Sequence, residues 1–218
     1  MQNTKKYAFT MIELVVVIVV LGILAALAMP RMERDLRQDA ADNVLSAIRY
    51  TQHLALMDNK IDPNNAIWQK AYWHLRFGSY GGKTAFYTIS TNSTSNGGNT
   101  NVDKRETAID PTNGKYMYHL AGDAMGVGSD ESPSIFIYKQ YGVNTVTYTG
   151  GCSGGQLIAF DHLGRPHVGI YSATNDFATY MTSDCTFTLG FEDSSINDVS
   201  IIIRSETGYA NIVGQPNS

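Results

Sequence analysis

The sequence predicts an α+β fold: a long N-terminal helix, with a membrane half and an amphipathic half, packed on an antiparallel β-sheet domain. Three observations carry that expectation. Sixteen residues from Leu14 to Met29 contain no charged or strongly polar side chain. After Pro30, apolar residues recur at helical spacing as far as about Asp58. From about residue 66 the pattern changes to short β-branched and aromatic runs separated by Gly, Asn, Asp and Ser.

The apolar run comes first. Extended back to Phe9 it is 21 residues long, interrupted only by Thr10 and Glu13. At about 1.5 Å per residue such a helix spans roughly 30 Å, the thickness of a bilayer core. A secretory signal peptide has a shorter apolar region and no carboxylate within it. Glu13 is therefore the residue to explain, because a charge in an apolar span is expensive unless paired. No Lys or Arg lies between Lys6 and Arg31. Cleavage between Ala8 and Phe9 would create an α-amine four residues before Glu13. That amine reaches its own Glu13 poorly along a helix, but a neighbouring subunit's amine has access.

The stretch Lys5-Lys6-Tyr7-Ala8, then Phe9-Thr10-Met11-Ile12-Glu13-Leu14, with Leu21-Gly22-Ile23-Leu24 and Pro30 downstream, resembles the class III leader and N-terminal helix of type IV pilins and pseudopilins. The resemblance covers about the first 30 residues and implies a pilin-like fold. It implies cleavage between Ala8 and Phe9 by a prepilin peptidase and N-methylation of Phe9. It makes Glu13 the acidic assembly residue, and Gly22 and Pro30 the helix-softening positions. Ala8 departs from the family, which usually has Gly before the cut. The implied partners are other pilin or pseudopilin subunits and an inner-membrane assembly platform. The implied location is a single pass through the bacterial inner membrane, with the C-terminal domain periplasmic or in an extracellular filament. Charge alone does not orient the span, since Arg31, Arg34 and Arg37 follow it.

The expected organisation is a leader over residues 1–8, a transmembrane and assembly helix over 9–30, its amphipathic continuation over 31–59, and an exported β-rich domain over 60–218. In the continuation Met32, Leu36, Ala40, Val44, Ala47, Ile48, Leu54 and Ala55 form the apolar stripe. Pro30 removes a helical hydrogen bond and clashes with the carbonyl of Ala26, so a kink or melted turn is expected there. Candidate strands are Tyr72 to Phe77, Ala85 to Ser90, Ser134 to Tyr138, Val143 to Tyr148, Gln156 to Phe160, Val168 to Tyr171, Cys185 to Phe191, Ser200 to Arg204 and Tyr209 to Val213. The low-complexity segment Thr91 to Thr100 reads as a loop.

In an exported domain, Cys152 and Cys185 are expected to form a disulfide. A second similarity lies in Phe160-Asp161-His162-Leu163-Gly164-Arg165-Pro166, followed by Val199 to Ile203 and Thr207-Gly208. This is similar to the C-terminal part of GspH/FimT-like minor pseudopilins and minor pilins. A Gly-Pro hairpin turn between two strands is the plainer reading of the same residues.

The sequence argues against several chemistries. Gly151-Cys152-Ser153-Gly154-Gly155 matches G-x-S-x-G, but no helical pattern follows Ser153, as a nucleophile elbow requires. His53, His74, His119, His162 and His167 are scattered and form no metal pair. Asp161, Asp184, Asp193 and Asp198 lie in no recognisable calcium loop. The net charge is −4, with no basic block, and Arg204 is the one basic residue after Arg165. Nucleic-acid binding, which draws on phosphate contacts, is not implied. The expected function is structural and not enzymatic, without a cofactor. A minor (pseudo)pilin leads; a major pilin, or a pilus-tip adhesion or DNA-uptake module, is the alternative.

Overall fold

The computed structural model describes residues 10–92, 103–120, 128–155, 157–171, 175, 177–215 and 217, apart from the side chains of residues 26–35. Ala8, Phe9 and most of the Thr91–Thr100 loop lie outside the described residues. Helix α1 runs from Met11 to Met57. It carries through Pro30, so the melted turn expected there is not present. The chain divides into two compact units, Met1–Leu36 and Arg37–Ser218.

In the second unit, Ala40, Ala41, Val44, Leu45, Ala47, Ile48, Thr51 and Ala55 are buried, the three-and-four spacing of one helical face. Leu36 is exposed and Leu54 only half-buried, so the buried stripe is narrower at its ends than expected. Polar residues of the same stretch bind backbone carbonyls of the domain. Arg37 Nε donates to Asn197 O at 3.0 Å, and Arg49 Nη2 donates to Ala210 O at 3.0 Å.

Among the described residues, eight strands form two four-stranded sheets, and all of their pairings are antiparallel. The first holds β1 (Trp73–Tyr80), β2 (Lys83–Ser90), β4 (Leu157–Phe160) and β5 (Pro166–His167), in the order β2-β1-β4-β5. The second holds β3 (Val143–Gly150), β6 (Cys185–Phe191), β7 (Val199–Ile203) and β8 (Ala210–Ile212), in the order β3-β6-β7-β8. Period-two burial is clearest in β6 and β7. Cys185, Phe187 and Leu189, with Val199, Ile201 and Ile203, face the core. On the other face Thr188 and Ser200 stand opposite each other, hydroxyls 2.8 Å apart. One apolar cluster contains Val44 and Ile48 together with Leu75, Ile89, Phe160, Phe187 and Ile201.

Two expected strands are replaced. Ser134 to Tyr138 is helical: a 3-10 turn Pro133–Ile135 leads to the short helix α2 (Ile137–Tyr141). Ser132 caps the turn by accepting from Ser134 N, Pro133 supplies the fixed φ of a first helical residue, and Gly142 ends α2 at φ +72°. These signals outweigh the β-branched content of the run. Val168 to Tyr171 is also not a strand. Gly169 turns the chain there at φ +69°, and pairing falls one step earlier, at Pro166–His167.

Candidate functional site: the helix headed by Glu13

The described apolar residues of α1 from Met11 to Ala25 are exposed on every side of the helix. Leu14 is 61% exposed, Ile18 57% and Leu24 58%. An isolated helix with one wet face hides its apolar stripe; this segment has apolar side chains all round, which only lipid or other helices can cover. Gly22 meets no atom within 4 Å of where a Cβ would stand. Its missing side chain thus serves no packing inside the chain, while a helix-interior glycine costs about 1 kcal/mol relative to alanine.

At the head of the segment, Thr10 and Glu13 close a reciprocal cap. Thr10 N–H and Thr10 Oγ1–H each donate to Glu13 Oε2 at 2.9 Å, and Glu13 N–H donates to Thr10 Oγ1 at 3.3 Å. This is the capping-box arrangement, in which the side chains at the cap and three residues on satisfy each other's backbone donors. The signal is present in the sequence as Thr10-Met11-Ile12-Glu13. Thr10 supplies hydrogen bonds and no positive charge, so among the described residues the carboxylate is hydrogen-bonded but has no cation. Ala8 and Phe9 are not among the described residues, so the expected cleavage site has no geometry here. Pro30 lies within the helical span, eight residues beyond Gly22.

Among the described residues, no helix is long and apolar enough to cross a membrane. The described side chains of the segment stop at Ala25, and the apolar sequence continues to Met29.

In the second unit, Cys152 and Cys185 are joined by a disulfide, with Cα atoms 5.2 Å apart. Both are buried. The bond ties the turn after β3 to the first residue of β6. Gly150, at φ +76°, and Gly151 let that turn lie flat on the Ser183–Asp184 backbone, where a Cβ on either would come within 2.1 Å of a carbonyl oxygen. Residues 151–154 are a turn leading toward strand β4, not toward a helix, which is the wrong setting for a nucleophilic Ser153.

The Phe160–Pro166 motif is organised by Asp161. Its Oδ1 accepts from Leu163 N and Arg165 N, each at 2.9 Å, and its Oδ2 accepts from Arg165 Nε at 2.8 Å. His167 Nε2 lies 3.3 Å from the same oxygen, while its Nδ1 faces Thr179 Oγ1 at 3.0 Å. Burial would raise the Asp161 pKa, but the bonds from His167, Arg165 and Leu163 hold it well below the usual carboxylate range. Gly164 and Gly208 approach so closely that a Cβ on Gly208 would sit 2.4 Å from Gly164 O. Gln52 Nε2 bridges the two turns, donating to Gly164 O at 2.8 Å and Thr207 O at 2.9 Å. The Gly-Arg-Pro and Thr-Gly pieces, more than 40 residues apart, therefore meet at one glutamine of α1. Among the described residues, no group of three His, Cys, Asp or Glu side chains is placed to hold a metal ion.

Residues 3–29 match the family model for the prokaryotic N-terminal methylation motif. No curated protein and no solved structure matches the chain.

Proposed function

We propose that the chain is a structural filament subunit of the type IV pilin-like class, a minor pilin or minor pseudopilin of a type IV pilus or type II secretion pseudopilus. The observation that carries this reading is the helix Met11–Ala25, apolar and exposed all round, inside a segment that matches the methylation motif. On this reading the helix is a single membrane anchor before assembly and the packing core of the filament afterwards. The long helix of the pilin class, its outer half lying on the β-sheet domain, is the architecture supported by the shared cluster of Val44, Ile48 and Phe187. The minor-subunit assignment is supported by the meeting of the Gly164 and Gly208 turns, the two pieces of the GspH/FimT-like similarity. The role is assembly, not catalysis.

Processing by a prepilin peptidase between Ala8 and Phe9 leaves an amine on Phe9. On a neighbouring subunit this amine is the cation that Glu13 lacks, and pairing them removes two costly charges from an apolar bundle. Gly22 and Pro30 serve the same bundle, giving close approach and local softening of the helix. The remaining partners are the other filament subunits and the inner-membrane assembly platform.

N-terminal sequencing and intact mass of membrane-extracted protein test the reading. The expected product starts at Phe9 and carries one methyl group. A product starting near Met29 or Pro30 identifies an ordinary signal peptide and overturns the assignment.

A further inference from the structure

The first sheet is covered on both faces, and the two covers are unequal. Leu75 and Phe77 of β1 and Ile158 and Phe160 of β4 turn into the main core. On the other face Leu157 and Ala159 meet a small separate cluster, completed by Tyr72 and Ile170 and flanked by Trp68 and Tyr171. This outer cover consists of two short pieces of chain. One is the 3-10 turn Trp68–Ala71 with its exit at Tyr72, and the other is the stretch at Ile170 and Tyr171.

His74 stands on that outer face. It lies directly opposite Ser90 of β2 and Ala159 of β4, and it is fully buried. Its Nδ1 is 2.9 Å from Tyr72 O. A carbonyl only accepts, so Nδ1 carries the proton and Nε2 is left as the acceptor. The Tyr171 hydroxyl donates to Nε2 at 2.8 Å, with the Ser90 hydroxyl at 3.2 Å. One neutral imidazole therefore fastens both pieces of the cover, Tyr72 through one nitrogen and Tyr171 through the other.

We propose that His74 is an acid-operated latch: its protonation releases the Tyr72 and Tyr171 segments from the outer face of the first sheet while the second sheet stays folded. A proton on Nε2 turns the acceptor into a donor, so the Tyr171 O–H can no longer point at it. Among the described residues no carboxylate bonds either ring nitrogen. The charged groups acting on the ring are Arg76 of β1, which opposes protonation, and Glu106 of the 3-10 turn Lys104–Glu106, whose weaker attraction favours it. The other elements against the ring present the Ser90 hydroxyl and the Tyr171 phenol, which burial raises to about 12 and keeps neutral. Burial above all holds the imidazole down from its ordinary 6.5 to about 4, against the help of the Tyr72 carbonyl. A base depressed in this way contributes stability that is full above pH 6.5 and lost as pH falls toward 4. Opening the cover wets the ring and lifts the penalty, so acid favours a local opening. The latch works within a single chain and needs no filament.

The test is hydrogen exchange on the full chain in detergent, at about pH 7.5 and about pH 5, corrected for intrinsic rates. With 6.5 for the open ring and about 4 for the closed one, the opening constant of peptides within residues 68–75 and 168–171 is expected to rise roughly 30-fold at the lower pH. Peptides from Cys185–Phe191 and Val199–Ile203 are expected to keep theirs. In His74→Gln the rise disappears, whatever protection that variant has at the higher pH. A second readout needs no variant: NMR of wild type with isotopically labelled histidine is expected to show His74 as the Nδ1–H tautomer, still mostly neutral at about pH 5. Three results overturn the proposal: no selective rise in the wild type, the same rise in His74→Gln, or a His74 ring mostly charged at about pH 5.

Discussion

Arg165 grips the carboxylate of Asp161 four residues before it, through Nη2 at 2.7 Å and Nε at 2.8 Å, and the backbone of the turn closes on the other oxygen. The carboxylate is almost fully enclosed while the guanidinium is 46% exposed, so the two partners are unequal. Asp161→Ala strands the Leu163 and Arg165 amides, and a loss of about 3 kcal/mol is expected. Arg165→Ala leaves the enclosed carboxylate its two backbone amides and His167, and a smaller loss of about 1–2 kcal/mol is expected. Chemical denaturation of the two variants measures the difference; equal losses would contradict this account of the turn.

Acid sensitivity follows from Asp110. Burial would raise its pKa, but the hydroxyls of Ser132, Ser134 and Thr112 and the Thr112 amide lower it to about 2. A group depressed in the folded state contributes stability above its ordinary value of 3.8 and loses it as pH falls toward the folded value. The domain is therefore expected to lose about 2 kcal/mol between about pH 4 and pH 2 from this residue. In Asp110→Asn that part of the acid slope disappears. An unaltered slope in the variant would remove Asp110 from the explanation.

The disulfide closes a loop of about 34 residues, which on the chain-entropy model is worth about 3–4 kcal/mol. Cys152→Ser is expected to destabilise the domain by that amount. Thiol titration of the unreduced protein should find no free cysteine, and two reactive thiols would refute the pairing.

Much of this architecture is written locally. The strands at Val143, Cys185 and Val199 follow from alternating β-branched and aromatic residues, and the buried face of α1 from its spacing. At Ser134 to Tyr138 composition favours a strand, while the decisive Ser132 cap, Pro133 and Gly142 flank the run. The division into two sheets was not legible, since it depends on which strands pair across long loops. A cleft lined by Trp68, His162 and Phe177 is equally hidden: the three residues lie far apart in sequence, and the fold alone brings them together. The Thr10–Glu13 box is legible as four adjacent residues, T-x-x-E ahead of an apolar run.

That box sharpens the question about Glu13, because the proposed function gives the residue a second role, separable from the cap. Capping needs an acceptor three residues after Thr10, and glutamine provides one. Pairing with a neighbour's Phe9 amine needs the negative charge, which glutamine lacks. Glu13→Gln therefore preserves the helix head and removes the proposed assembly contact, while Glu13→Val removes both.

The most direct measurement is cross-linking of the full chain to its assembly partners for wild type, Glu13→Gln and Glu13→Val, with leader cleavage checked in each. The account predicts normal insertion and cleavage in all three, with incorporation into filaments lost to a similar degree in both variants. Incorporation of Glu13→Gln at the wild-type level, with normal cleavage, would show that Glu13 acts as a helix cap alone and would contradict assembly through a buried charge pair.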